Sequence, residues 1–190
     1  MSTMESAIRL DAIRDFLKRM CASVDAEYSD VMRRDKQGEF VNSDELADAY
    51  FSPLMSEEIA VRATLSELNA LIEYKLQGLA NEPFTEEKVK RKCKRNFLVF
   101  DLARDRLIAL IEGYYRVKLD VLPSFCAVEE IRHAVNACKH RDGWKDPRKD
   151  YIGREPAKVW EKFKLDRQHA FDLIIAVREF LTALGELRGS

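Results

Sequence analysis

Glu129-Glu130-Ile131-Arg132-His133-Ala134-Val135-Asn136-Ala137-Cys138-Lys139-His140 carries two helical patterns at once. At about 100° per residue, Val128, Ile131, Val135 and Cys138 form one apolar stripe, the spacing of a segment that packs on a core. Arg132, Asn136 and His140 advance by only roughly 40° per step along a neighbouring edge, with Lys139 beside them. These spacings fit a helix better than any strand alternation. The stretch therefore reads as a helix holding a polar edge at the margin of its packing surface, an arrangement suited to a groove or a subunit interface.

The same helical spacing extends along the rest of the chain. A first helix is expected from about Met4 to Arg34, with Ile8, Ile13, Phe16, Leu17, Met20, Val24 and Val31 as its apolar face and Lys36-Gln37-Gly38 as its end. Ser43 can cap a short helix reaching about Tyr50, because two acids follow it in the first turn. Ser52-Pro53 predicts an interruption, followed by a long helix over about Met55 to Leu79 with Ile59, Ala63, Leu65, Leu68, Leu71, Ile72 and Leu76 apolar. Asn81-Glu82-Pro83-Phe84 reads as a turn, and Thr85 as the cap of the next helix, which runs with a possible bend toward Val117. Leu122-Pro123-Ser124 breaks the chain before the helix quoted above, and Asp142-Gly143 ends that helix. A charged loop with Trp144, Pro147, Tyr151, Gly153 and Pro156 leads to a final helix over about Ala157 to Leu187, whose apolar residues are Phe163, Ala170, Phe171, Ile174, Val177, Leu181 and Leu184.

The expected architecture is all-α, an up-and-down bundle of five or six helices in a single domain spanning 1–190. Composition agrees: of 190 residues 46% are hydrophobic and 34% charged, with only 7 Gly and 5 Pro, too few for a sheet and its turns. A formal net charge of −1 announces neither nucleic-acid nor membrane binding, so any such contact has to come from a local patch. Cys21, Cys93, Cys126 and Cys138 are far apart and form no C-x-x-C pair, which suits a reducing compartment and argues against a zinc site. No apolar run approaches the roughly 20 residues needed to span a bilayer, and the first residues lack a secretory pattern, so a cytoplasmic protein without membrane contact is expected.

The Arg132…Asn136…Lys139-His140 edge, late in an all-α chain and followed by a charged loop and one last helix, resembles the HEPN superfamily of prokaryotic defence and toxin proteins. Glu67-Leu68-Asn69-Ala70-Leu71-Ile72-Glu73 is similar to the Glu-bearing earlier helix of that fold. The resemblance covers residues 55–188, with 1–54 as an N-terminal elaboration. It implies metal-independent cleavage of RNA without a cofactor, in a homodimer whose two edges meet in one cleft, and an antitoxin or defence-system partner. His140 is the implied general acid or base at the ribose 2′-hydroxyl, Arg132 the stabiliser of the transition state, and Asn136 the group that orients His140 or binds phosphate. The residue types suit the chemistry: a histidine exchanges protons near neutrality, and a guanidinium grips phosphate with two parallel hydrogen bonds. In the family signature four to six residues separate the arginine from the histidine; here seven do. The chain is thus either a divergent branch or one that has lost the catalytic geometry, serving as an interaction module for a protein or RNA.

A second charge feature is Lys88-Val89-Lys90-Arg91-Lys92-Cys93-Lys94-Arg95, six basic residues in eight. Lys88, Lys90, Arg91, Lys92, Lys94 and Arg95 could grip an RNA backbone, with Lys139 as a further phosphate contact, or could form a solvated helix start. Lys139 and His140 have their own bland reading, because cations are favourable at a helix C-terminus. His169 reads as a boundary histidine. Glu129, Glu130 and Asp142 make a poor ligand set, and no metal site is expected.

Overall fold

The computed structural model describes residues 3–90, 98–143, 145, 163 and 166–187, with backbone alone at 3, 86–90, 101 and 141. Among these residues there are five α-helices, two short 3-10 turns and no strand. The helices are α1 (Thr3–Lys36), α2 (Ser43–Lys90), α3 (Arg104–Tyr115), α4 (Phe125–Arg141) and α5 (Arg167–Glu186). No helix among the described residues is long and apolar enough to cross a membrane.

Four of them form a ring in which every neighbour is antiparallel. Arg9 meets Glu67 and Tyr28 meets Tyr50, so α1 and α2 run in opposite directions. Arg62 of α2 reaches Asp142 just beyond α4, while Glu73 and Glu129 share Arg104 near the start of α4. Ser124, just before α4, bonds Glu179 late in α5, and Glu130, further along α4, contacts His169 early in α5. Asp11 takes Arg178 and Asp25 takes Arg167, which closes α5 onto α1. The result is an up-and-down bundle, with α3 packed on α2. Leu17, Leu68, Leu71, Ile72, Ile131 and Phe180 are fully buried at its centre.

The expected interruption at Ser52-Pro53 and the turn at Asn81-Glu82-Pro83-Phe84 do not occur. α2 passes through both as one 48-residue helix, with Pro53 and Pro83 inside it. Each proline removes one backbone hydrogen bond, but both rings are buried, and packing against neighbouring residues offsets the loss. Thr85 accordingly caps nothing; its Oγ1 donates to the Asn81 carbonyl within the helix. The cap of α2 is Asn42 rather than Ser43: its Oδ1 accepts from the amides of Asp44 and Glu45 at 3.0 and 2.9 Å, and Glu45 accepts from the Val41 amide in return. The helix expected to reach Val117 is shorter, with a 3-10 turn at Val99–Asp101 preceding α3.

Burial follows the sequence stripes with named exceptions. On α1, Ile13, Leu17, Val24 and Val31 are buried together with Leu10, whereas Ile8 and Phe16 point outward at 59% and 37% exposure. They lie roughly 140° and 60° from Ile13 around the helix, outside the stripe. Ile59 on α2 is likewise exposed. α5 is described from Arg167, with Asp166 capping it through the amide of His169. The charged loop expected before it lies outside the described residues except for Lys145, and Phe163, expected within the final helix, is buried but not helical.

Candidate functional site

α4 is built to hold a polar edge. Val128, Ile131 and Val135 are buried, as their spacing requires, and Glu129 on the far side of the helix is buried as well. Asp142 (φ 47°) and Gly143 (φ 83°) adopt left-handed backbone after the last turn, and the Gly143 amide closes onto the Ala137 carbonyl. That reversal fixes where the edge stops. Arg132 is half-buried; Asn136, Lys139 and His140 are exposed.

The structure engages these four residues very differently. Arg132 donates from Nε and Nη2 to the same Glu129 oxygen, at 2.9 and 2.7 Å. The other Glu129 oxygen accepts from Nη2 of Arg104 at 2.8 Å, and Nη1 of Arg104 bonds Glu73. Glu73, Arg104, Glu129 and Arg132 therefore form an alternating row of charges from α2 through α3 to α4. Glu129 and Arg104 are 5% and 8% exposed at their side chains, so the row is largely withdrawn from water. Two carboxylates share Arg104, and Arg132 balances the second of them. Its position at the outer end makes it a brace for a buried acid.

Asn136, Lys139 and His140 are not drawn into this row. His140 lies eight residues beyond Arg132, about 12 Å further along the helix axis. Glu129 sits on the other side of Arg132, one turn back, so the guanidinium is pulled away from His140. One chain does not bring Arg132 and His140 together.

At the His140 end, an arginine from α2 approaches α4. Nη2 of Arg62 donates to Asp142 at 3.0 Å and pairs with Glu58. It lies 3.9 Å from where a Cβ of Gly143 would stand, and Cys138 Sγ is 4.0 Å from that same point. Burial lowers the pKa of Arg62, but the hydrogen bond with Asp142 and the charges of Glu58, Cys138 and Asp142 outweigh it, so the net shift is upward.

Of the basic run, Lys88 and Lys90 belong to the last turn of α2, where only the backbone is described, and Arg91, Lys92, Lys94 and Arg95 lie outside the described residues. α2 continues 15 residues from Glu73 to Lys88, about 22 Å past the level of Glu129. The run thus begins at the opposite end of the bundle from His140. His169, on α5, has its Nε2 3.1 Å from Glu130 at the boundary of the bundle, and no group of three or more His, Cys, Asp or Glu among the described residues is placed to hold a metal ion.

Sequence reasoning missed Arg104 and Arg62. Arg104 had a signal: it falls at i, i+3 and i+7 with buried Leu107 and Ile111, an ion on an apolar stripe. Arg62 had none, because its partner Asp142 is 80 residues away. No protein-family model, curated protein or solved structure matches this chain.

Proposed function

We propose that the protein is a HEPN-like RNA-binding module in which Asn136, Lys139 and His140 contact the RNA backbone, and that a single chain is not a ribonuclease. The observation that carries this reading is the direction of Arg132, whose two donated hydrogen bonds point toward Glu129 and away from His140. The family signature leaves four to six residues between its arginine and its histidine, and the arginine's place here would be Val135, Ala134 or His133. Val135 and Ala134 are buried core residues. An exposed amide, ammonium and imidazole on one edge can still bind phosphate oxygens, and the basic run from Lys88 to Arg95 supplies further cations for a salt-sensitive grip.

One observation favours a second reading. His140 and Asn136 lie one turn apart on the same exposed edge, so an arginine supplied by a second copy could complete a cleft with His140 as general acid or base. In that case the homodimer would be a metal-independent endoribonuclease acting in a toxin or defence setting with a neutralising partner protein.

Fluorescence anisotropy and gel analysis of a labelled single-stranded RNA in chelator test both readings. The expected result is binding that weakens with salt and with Lys139→Ala or His140→Ala, and RNA that stays intact. Degradation by the wild type and not by His140→Ala would replace the first reading with the second. Absence of binding at low salt would remove both.

A further inference from the structure

Arg62, Arg104, Arg132 and Arg167 stand among the bundle's ion pairs and use their donors unequally. Arg167 engages all three nitrogens, with Nε and Nη2 on Glu57 and Nη1 on Asp25. Arg104 uses two nitrogens on two buried or half-buried acids, and Arg132 uses two on Glu129. Arg62 makes both of its contacts through Nη2 alone. Its Nε is buried with no partner, and among the described residues nothing accepts from Nη1. Its side chain is 30% exposed, and the acids it meets, Glu58 and Asp142, are 39% and 68% exposed. Pairs this open to water contribute little to stability and are readily exchanged for another anion.

Arg62 also stands in a distinctive place. Asp142 follows Lys139 and His140 by three and two residues, and the guanidinium packs against the turn that ends at Gly143. A guanidinium with Nη1 unengaged among the described residues and Nη2 held only by exposed acids therefore borders the end of α4, and those two nitrogens can bind phosphate through paired hydrogen bonds.

We propose that Arg62, contributed by α2, is the phosphate-gripping arginine of the RNA surface formed by Lys139 and His140, and that Asp142 competes with RNA phosphate for it. This rests on the RNA-binding reading above. The two parts make opposite demands: removing Arg62 weakens binding, and removing the charge of Asp142 strengthens it by leaving Nη2 with Glu58 alone. Asp142→Asn suits the test because asparagine tolerates the left-handed backbone at this position.

The experiment is a double-mutant cycle on the full chain, measuring affinity for a labelled single-stranded RNA by anisotropy across a salt series in chelator. Arg62→Gln is expected to lose affinity several-fold and to reduce the slope of log affinity against log salt by about 0.7, the loss of one phosphate contact. Asp142→Asn gains several-fold, and the gain vanishes in the Arg62→Gln background. Arg62→Lys, which keeps the charge without the fork, falls between wild type and Arg62→Gln and serves if the glutamine variant does not fold. If Lys139→Ala weakens binding while Arg62→Gln or Arg62→Lys matches wild type, the role of Arg62 is overturned and the RNA surface stands. A gain from Asp142→Asn that persists without Arg62 is long-range charge and also overturns it. Wild type that fails to bind RNA at low salt removes the RNA surface and this assignment together.

Discussion

Arg132 shows how a residue type can suggest one role and its neighbours impose another. Its helix position beside Asn136 and His140 suggests phosphate chemistry, but the buried carboxylate one turn back holds both of its engaged nitrogens. Replacing Arg132 with Gln leaves Glu129 to share Arg104 with Glu73, and an under-compensated buried carboxylate costs about 1–3 kcal/mol or more. Urea unfolding should show a loss of that order, with little change in the salt slope of RNA binding; a stable variant that no longer binds RNA would restore Arg132 to the binding surface. The edge itself was legible in the sequence because helical spacing alone places its members. The role of Arg132 was not, since Arg104 reaches Glu129 from 25 residues away and no local pattern records that contact.

Among the elements, the link between α3 and α4 depends on one acid. Glu112, near the end of α3, accepts from the Leu119 amide at 2.9 Å and from Lys118 Nζ at 2.7 Å, fixing the 3-10 turn at Leu119–Val121. The hydrogen bond from Lys118 is the main cause that holds its pKa below the ordinary 4.5, with burial opposing it and the Leu119 amide adding to the lowering. A depressed carboxylate pKa stabilises the fold above the unfolded value of about 4.5 and ceases to do so as pH falls through the lower folded value. Glu112→Gln should therefore reduce thermal stability at neutral pH, and the gap from wild type should close as the pH is brought below 4.5; a gap independent of pH would rule out the linkage. Arg167 does comparable work at the start of α5, where it joins α1 and α2, and Arg167→Ala should cost about 1–3 kcal/mol in urea unfolding. Helix identity was readable along most of the chain, whereas helix ends were misread at Pro53 and Pro83. A proline lowers local helix propensity, but burial of its ring depends on residues distant in sequence, which local signals do not contain.

At the scale of the whole molecule, the ring of antiparallel neighbours was foreseeable from long helices and short connections, but the inventory of faces was not. Ile8, Phe16 and Ile59 satisfy apolar counting and still face outward. The core is closed by residues such as Phe180, whose replacement by Ala should cost about 3–5 kcal/mol in chemical unfolding, because a fully buried aromatic leaves a cavity. Self-association is expected from the HEPN resemblance, and light scattering at micromolar concentration should give the mass of a dimer; a strictly monomeric mass contradicts it. A dimer that survives Asn136→Arg places the contact away from α4 and leaves that edge open to RNA.

The uninterrupted course of α2 makes it a ruler. Arg62 and Lys88 are 26 residues apart on one helix, about 39 Å of rise with no loop between them to flex. If both ends hold RNA as proposed, the two contacts act together only on a strand long enough to reach both, when the second becomes intramolecular. Affinity should then fall abruptly, rather than in proportion to length, once an RNA is too short to bridge them, and the length at that step would report the span of a helix that two prolines fail to break.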